Sequence, residues 1–150
     1  MNENNKIERV RVLGVYVDPL RVDRAVTRTN RYLEKHTFEY VLFVNTAAAL
    51  AGQTEGHFAE YVEKAALVLP GDGNIEEAVE VRKWMNEGTS YQAEYFRRLL
   101  TRLDLQHATC FILIEKENLC RQFKKLFERV MSKKKYERTL DILSLSNKTF

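Results

Sequence analysis

Three histidines and two cysteines in 150 residues leave little from which to build a zinc site, and they form no cluster with the spacing of a zinc motif. Cys110 lies inside an apolar run and Cys120 in an expected helix, so both read as reduced thiols of a cytoplasmic protein. His57 has no ligand-type companion and reads as a surface histidine near a helix start. An excess of one charge is also missing. The 24 basic and 21 acidic side chains leave a formal charge of +3, too balanced to call for nucleic acid as a partner. No apolar run approaches the roughly 20 residues that span a bilayer, and the segment from Met1 to Lys6 lacks the apolar core of a secretory signal. Spanning a membrane is therefore excluded, whereas peripheral contact with one is left open. No repeat, low-complexity tract or linker interrupts the chain. What is present, 45% apolar and 30% charged residues, is ordinary for one soluble domain of this length. The organisation expected is a flexible polar N-terminus over residues 1–8 and a single α/β domain over residues 9–150.

From Arg9 to Val17 the pattern alternates and then becomes almost continuously apolar, which predicts one strand that Asp18-Pro19-Leu20 ends. Arg21 to Lys35 predicts an amphipathic helix with Val22, Ala25, Val26, Thr29, Tyr32 and Leu33 inward and an arginine row on its other faces. Glu39 to Val44, rich in β-branched and aromatic residues, predicts the second strand. A small-residue helix follows through Ala47 to Ala51, and another from His57 to Lys64 with Phe58, Tyr61 and Val62 at helical spacing. Ile75 to Glu87 reads as one helix stopping near Gly88. Thr89 and Gln92 have the form of a capping box opening a helix through Leu103. Ala108 to Ile114 is an apolar strand suited to a parallel sheet covered on both faces. A helix from about Glu117 to Ser132 and a last strand from Thr139 to Leu145 complete the pattern, with basic residues Lys133 to Lys135 between them. That basic run caps a helix C-terminus favourably and is also compatible with phosphates or an anionic membrane surface. Strands alternating with helices predict the α/β class: a three-layer, Rossmann-like domain with a mainly parallel sheet flanked by helices.

The stretch from Ala66 to Asn74, Ala-Leu-Val-Leu-Pro-Gly-Asp-Gly-Asn, is where chemistry is expected. An apolar strand stops at a proline, passes two glycines that bracket a carboxylate, and opens into a helix. Asp72 thereby falls at the carboxyl end of a strand, the edge at which open α/β sheets bind ligands. Ordinary strand-to-helix turn chemistry would use the same residues. Asn45 and Thr46 stand at the matching end of the second strand. Either could cap the next helix through a side-chain oxygen or contact a ligand.

Three segments in this order resemble the WecG/TagA/CpsF family of bacterial glycosyltransferases, glycosyltransferase family twenty-six. Leu13-Gly14-Val15-Tyr16-Val17-Asp18-Pro19-Leu20 is similar to the family's Leu-Gly-Val-x-Val-Asp-x-Leu. Val44-Asn45 falls where the family has Thr-x-Asn. Ala65 to Pro70 followed by Asp72-Gly73 resembles Ala-Asp-Leu-Val-x-Pro-Asp-Gly, with Gly88-Thr89 and the strand Phe111 to Ile114 continuing the register. The resemblance implies transfer of an N-acetylhexosamine, typically N-acetylmannosamine, from a UDP-sugar to a polyprenyl-linked acceptor. The products would be teichoic acid or related cell-surface polysaccharides. Asp72 becomes the candidate base that deprotonates the acceptor hydroxyl, with Asn45, Thr46, Gly73 and Asn74 as substrate-binding candidates, and with no metal and no other cofactor. Placement in the cytoplasm or at the inner face of the membrane follows, with a protein partner or a second copy as a further association.

The departures from the family pattern are as informative. Phe43 replaces the threonine, Gly71 is inserted between proline and aspartate, Met85 stands where an arginine is usual, and Ser90 replaces an aspartate. The family's glycine pair after the next strand is Glu115-Lys116 here, which sets a carboxylate where backbone would approach a diphosphate. A counterpart of the family's Gly-x-Pro-Lys-Gln-Glu segment is not found in these 150 residues. The expectation is therefore a shortened, divergent relative with weakened or lost transfer activity. A non-catalytic binding or assembly subunit on the same scaffold, or an unrelated α/β domain, are the alternatives.

Overall fold

The computed structural model describes residues 8–54, 56–106, 110–114, 121–122, 125 and 140–144. By its contacts the chain divides into two compact units, Met1–Phe96 and Arg97–Phe150.

The first unit opens with a correction. The apolar run from Arg9 to Val17 is not one strand but a hairpin, β1 (Val10–Val12) against β2 (Val15–Val17), antiparallel with Val12 opposite Val15. Leu13 and Gly14 form its two-residue turn with φ of 51° and 87°. Both values lie in the left-handed region, the requirement of the turn that matches the twist of paired strands. The continuous apolar character hid the turn, because leucine carries no turn signal. Val15 and Val17 are buried while Tyr16 is half exposed, so β2 has one inward face.

Beyond Pro19 the helix α1 (Val22–Glu34) buries Val22, Ala25, Val26 and Asn30. Its inward stripe is narrower than the spacing suggested, since Leu33 is 46% exposed. Strand β3 (Val41–Val44) leads into α2 (Thr46–Gly52), α3 (Gly56–Lys64) and β4 (Leu67–Pro70). The two strands run parallel, with Val41 opposite Leu67 and Val44 opposite Pro70. All four residues of β4 are buried, as a strand flanked on both sides must be. On one side it has β3. On the other the Asp18 N–H donates to the Val68 carbonyl at 2.7 Å and the Val68 N–H donates to the Asp18 Oδ2 at 2.7 Å. A side-chain carboxylate thus extends the hairpin's pairing onto β4.

The expected helix Ile75 to Glu87 is broken in two. Helix α4 (Gly73–Ala78) stops early, Glu80 adopts φ 58°, and a single 3₁₀ turn follows at Arg82–Trp84. A part-buried ion pair spans the break: Arg82 turns back to place its Nη1 3.0 Å from the Glu76 Oε2. Helix α5 (Tyr91–Leu105) is capped one residue later than the capping box implied. The Ser90 hydroxyl accepts from the Ala93 N–H at 3.2 Å, while the Thr89 hydroxyl donates to the Asn86 carbonyl. The start of α5 carries the aromatic core of this unit. Phe43, Tyr95 and Phe96 pack with ring centroids 5.2 to 5.5 Å apart, in edge-on and tilted arrangements that rings favour. The Tyr91 hydroxyl donates to the Leu20 carbonyl, and the Tyr95 hydroxyl shares a 2.8 Å hydrogen bond with Thr29. Burial pushes both phenols above the usual tyrosine range.

In the second unit β5 (Cys110–Ile114) and β6 (Leu140–Ser144) pair in parallel, Cys110 opposite Leu140 and Ile114 opposite Ser144. The expected helix from Glu117 to Ser132 lies mostly outside the described residues; residues 121, 122 and 125 within it are helical. The basic run Lys133 to Lys135, the glycine-replacing pair Glu115-Lys116 and the cysteine Cys120 lie outside them altogether. The chain is thus a mixed α/β protein with two parallel strand pairs and one antiparallel hairpin among the described residues. No described helix is long and apolar enough to cross a membrane.

Candidate functional site

Strands β3 and β4 end in register at Val44 and Pro70, so the residues that follow emerge side by side at one edge of the pair. Asn45 and Asp72 each sit in extended backbone immediately before a helix, α2 and α4 respectively, and each serves as its N-cap. The Asn45 Oδ1 accepts from the Ala48 N–H at 2.7 Å, and the Asp72 Oδ1 accepts from the Ile75 N–H at 3.0 Å. Both satisfy an orphan donor of the first turn.

Asp72 does more than cap its own helix. Its second oxygen, Oδ2, accepts from the Thr46 N–H at 2.7 Å, and Thr46 is the first residue of α2. One carboxylate therefore bridges the N-termini of two helices, where two sets of backbone dipoles favour its negative charge. Partial burial pushes the Asp72 carboxyl up, but the hydrogen bonds outweigh it. The N–H groups of Thr46 and Ile75, then the Thr46 hydroxyl and the Asn74 N–H, hold it below the usual carboxylate range. A charge-assisted hydrogen bond of this length is strong.

The sequence-derived site residues are thus neighbours. Asp72 touches Thr46, and the Asn74 Nδ2 lies 3.4 Å from the Thr46 hydroxyl. Gly73 begins α4, and Gly73, Asn74 and Asn45 are exposed, with Thr46 and Asp72 half-buried. The inserted Gly71 donates its N–H to the Val44 carbonyl at 2.9 Å, which adds one more rung beyond the strand ends. Asp72 is consequently directed at α2. His57 is exposed.

Two buried carboxylates escaped sequence reasoning. Glu76 is 1% exposed; its Oε1 accepts from the Tyr91 N–H at 2.8 Å and its Oε2 from Arg82 at 3.0 Å. It lies within an apparently continuous helical pattern, where nothing marks it as buried. Asp18, also 1% exposed, had a signal in its position after an apolar run and before proline. Its Oδ1 accepts from the Arg9 Nε at 3.0 Å, and Arg9 also donates to the Ala65 carbonyl at 2.9 Å and the Val62 carbonyl at 3.3 Å. Each of these two carboxylates is buried with a donor on both oxygens, so neither is open to a ligand from solvent.

A cleft of about 700 Å³ lies between the hairpin and α2–α3, with Arg11, Tyr16, Gln53 and Phe58 among its walls. None of Asn45, Thr46, Asp72 or Asn74 lines it. Among the described residues no group of three or more His, Cys, Asp or Glu side chains is placed to hold a metal ion. Comparison of the chain with family models, curated proteins and solved structures gives no match.

Proposed function

We propose that this chain is a divergent domain of the WecG/TagA/CpsF type, on a three-layer Rossmann-like plan, whose transfer of an N-acetylhexosamine from a UDP-sugar to a polyprenyl-linked acceptor is weakened or lost. Its role is then binding or assembly in cell-surface polysaccharide or teichoic acid synthesis. It acts in the cytoplasm or at the inner face of the membrane, beside a second copy or another protein. Support for the ancestry comes from the layout. Asn45 and Asp72, the residues that the resemblance assigns to substrate, stand together at the carboxyl edge of a parallel pair, the edge at which such sheets bind ligands.

The observation that carries the weakened activity is the engagement of Asp72. A general base works best when its proton affinity matches the operating pH and a lone pair reaches the reacting hydroxyl. Asp72 has both oxygens committed to backbone N–H groups and is held below the usual carboxylate range. Such a carboxylate is ionised at neutral pH but takes up a proton reluctantly. Its half-buried position still permits contact with a hydroxyl-bearing ligand as a hydrogen-bond acceptor.

The test is release of UDP from UDP-N-acetylmannosamine or UDP-N-acetylglucosamine in the presence of a lipid-diphosphate acceptor, by the wild type and by Asp72→Asn. The proposal expects release near the protein-free background and no difference between the two proteins. Robust turnover that Asp72→Asn abolishes would contradict it.

A further inference from the structure

We propose that Gly71 is a positioning residue: its missing side chain lets the β4–α4 loop close onto the β3–α2 loop and thereby sets the Asp72 carboxylate on the Thr46 N–H. The contact is with backbone. A Cβ built at Gly71 would lie 3.0 Å from the Asn45 nitrogen, 3.0 Å from the Val44 carbonyl carbon and 3.1 Å from the Val44 oxygen. No rotamer change can relieve such crowding, because main-chain atoms at a strand end are held by the ladder. Relief requires the two loops to part by a few tenths of an ångström.

Two ties cross between the loops where that parting would occur. The Gly71 N–H donates to the Val44 carbonyl at 2.9 Å, and the Thr46 N–H donates to the Asp72 Oδ2 at 2.7 Å. The second is short and charge-assisted, so its strength falls steeply as it lengthens. Gly71 thus sets the basicity of Asp72. With glycine the carboxylate is clamped and weakly basic, and with any larger residue it relaxes toward an ordinary aspartate. The glycine is also the residue that this chain inserts between proline and aspartate relative to the pattern it resembles. The inference concerns the same carboxylate as the proposed function. It is read from proton affinity and not from turnover, so either can fail alone.

The experiment follows the Asp72 carboxyl carbon by NMR through an acid titration in the wild type, Gly71→Ala and Thr46→Pro. Thr46→Pro removes the bridging N–H at the first position of α2, where proline is well accommodated. The preceding Asn45, at φ −95° and ψ 169°, already has the extended backbone that a following proline requires. Both variants should raise the Asp72 proton affinity roughly threefold or more, an upward move of about half a pKa unit. A folded Gly71→Ala protein in which Asp72 titrates as in the wild type overturns the proposal, as does a Thr46→Pro protein without the rise. A Gly71→Ala chain that fails to fold also contradicts it, since the proposal confines the effect to a small local parting of two loops.

Discussion

Replacing Asp72 by alanine removes two hydrogen bonds at once, and the geometry allows the cost to be worked out. The Asp72 Oδ1 caps α4 through the Ile75 N–H, and its Oδ2 holds the Thr46 N–H at the start of α2. An N-cap side chain is worth about 1 kcal/mol when replaced by alanine, and a second contact of the same kind adds a similar amount, for a loss of about 2 kcal/mol. Asparagine keeps one oxygen for Ile75 but turns an amide donor toward the Thr46 N–H, so Asp72→Asn should lose about 1 kcal/mol. In a chain of this size the alanine variant should melt roughly 6 °C lower. The pH dependence gives a second, independent readout. The folded-state pKa is lowered, so the ionised carboxylate's contribution is fully present above the unfolded-state pKa of about 4 and is lost as pH falls through the folded-state value. The stability gap between wild type and Asp72→Asn should therefore narrow on acidification below about pH 4. Urea titrations of the three proteins across this range, followed by circular dichroism, measure both effects. A gap under about 0.5 kcal/mol at neutral pH, or one that does not narrow in acid, would refute the bridging role.

Other positions give sharper contrasts in the same assay. Arg9→Ala leaves the buried Asp18 carboxylate with the Val68 N–H as its hydrogen-bond donor among the described residues and should cost about 3 kcal/mol. An effect below about 1 kcal/mol would mean that water reaches Asp18. Leu13→Asn should stabilise the chain by about 0.5 to 1 kcal/mol, because Leu13 holds φ 51° in the hairpin turn and an Asn-Gly pair suits that turn far better. A loss of stability would show that the Leu13 side chain contributes more than its strained backbone costs. Tyr95→Phe removes the hydroxyl shared with Thr29 and should cost about 1 kcal/mol, measured against Phe43→Ala, which opens the aromatic cluster and should cost about 3 kcal/mol.

Much of the first unit was legible because its signals are local. The apolar run Leu67 to Leu69 with Pro70 behind it fixed β4 and its end, and the small residues after Asn45 fixed α2. Turn chemistry after Pro70 located the carboxylate that the structure places between two helices. The failures share a cause in long-range contacts. The hairpin at Leu13 was missed because leucine in the left-handed region is selected by strand pairing and not by its own preference. The break after Ala78 was missed because Arg82 returns to Glu76, six positions back, a contact that helical periodicity does not encode. Asp72's second bond, to the Thr46 N–H, crosses 26 positions, and no spacing rule reaches that far. Gly71 stood out in the sequence only as an insertion between proline and aspartate. In three dimensions it adds a ladder rung, and its lack of a side chain is what permits the contact.

The central claim is the proposal that a chain whose sequence motifs resemble those of sugar-nucleotide transferases has weakened or lost transfer activity. Calorimetric titration of the intact chain with UDP-N-acetylmannosamine tests it most directly, since donor binding must precede any transfer. The account predicts a Kd weaker than ~1 mM, less than about 4 kcal/mol of binding free energy. Saturable binding near 1 μM, about 8 kcal/mol, would contradict it.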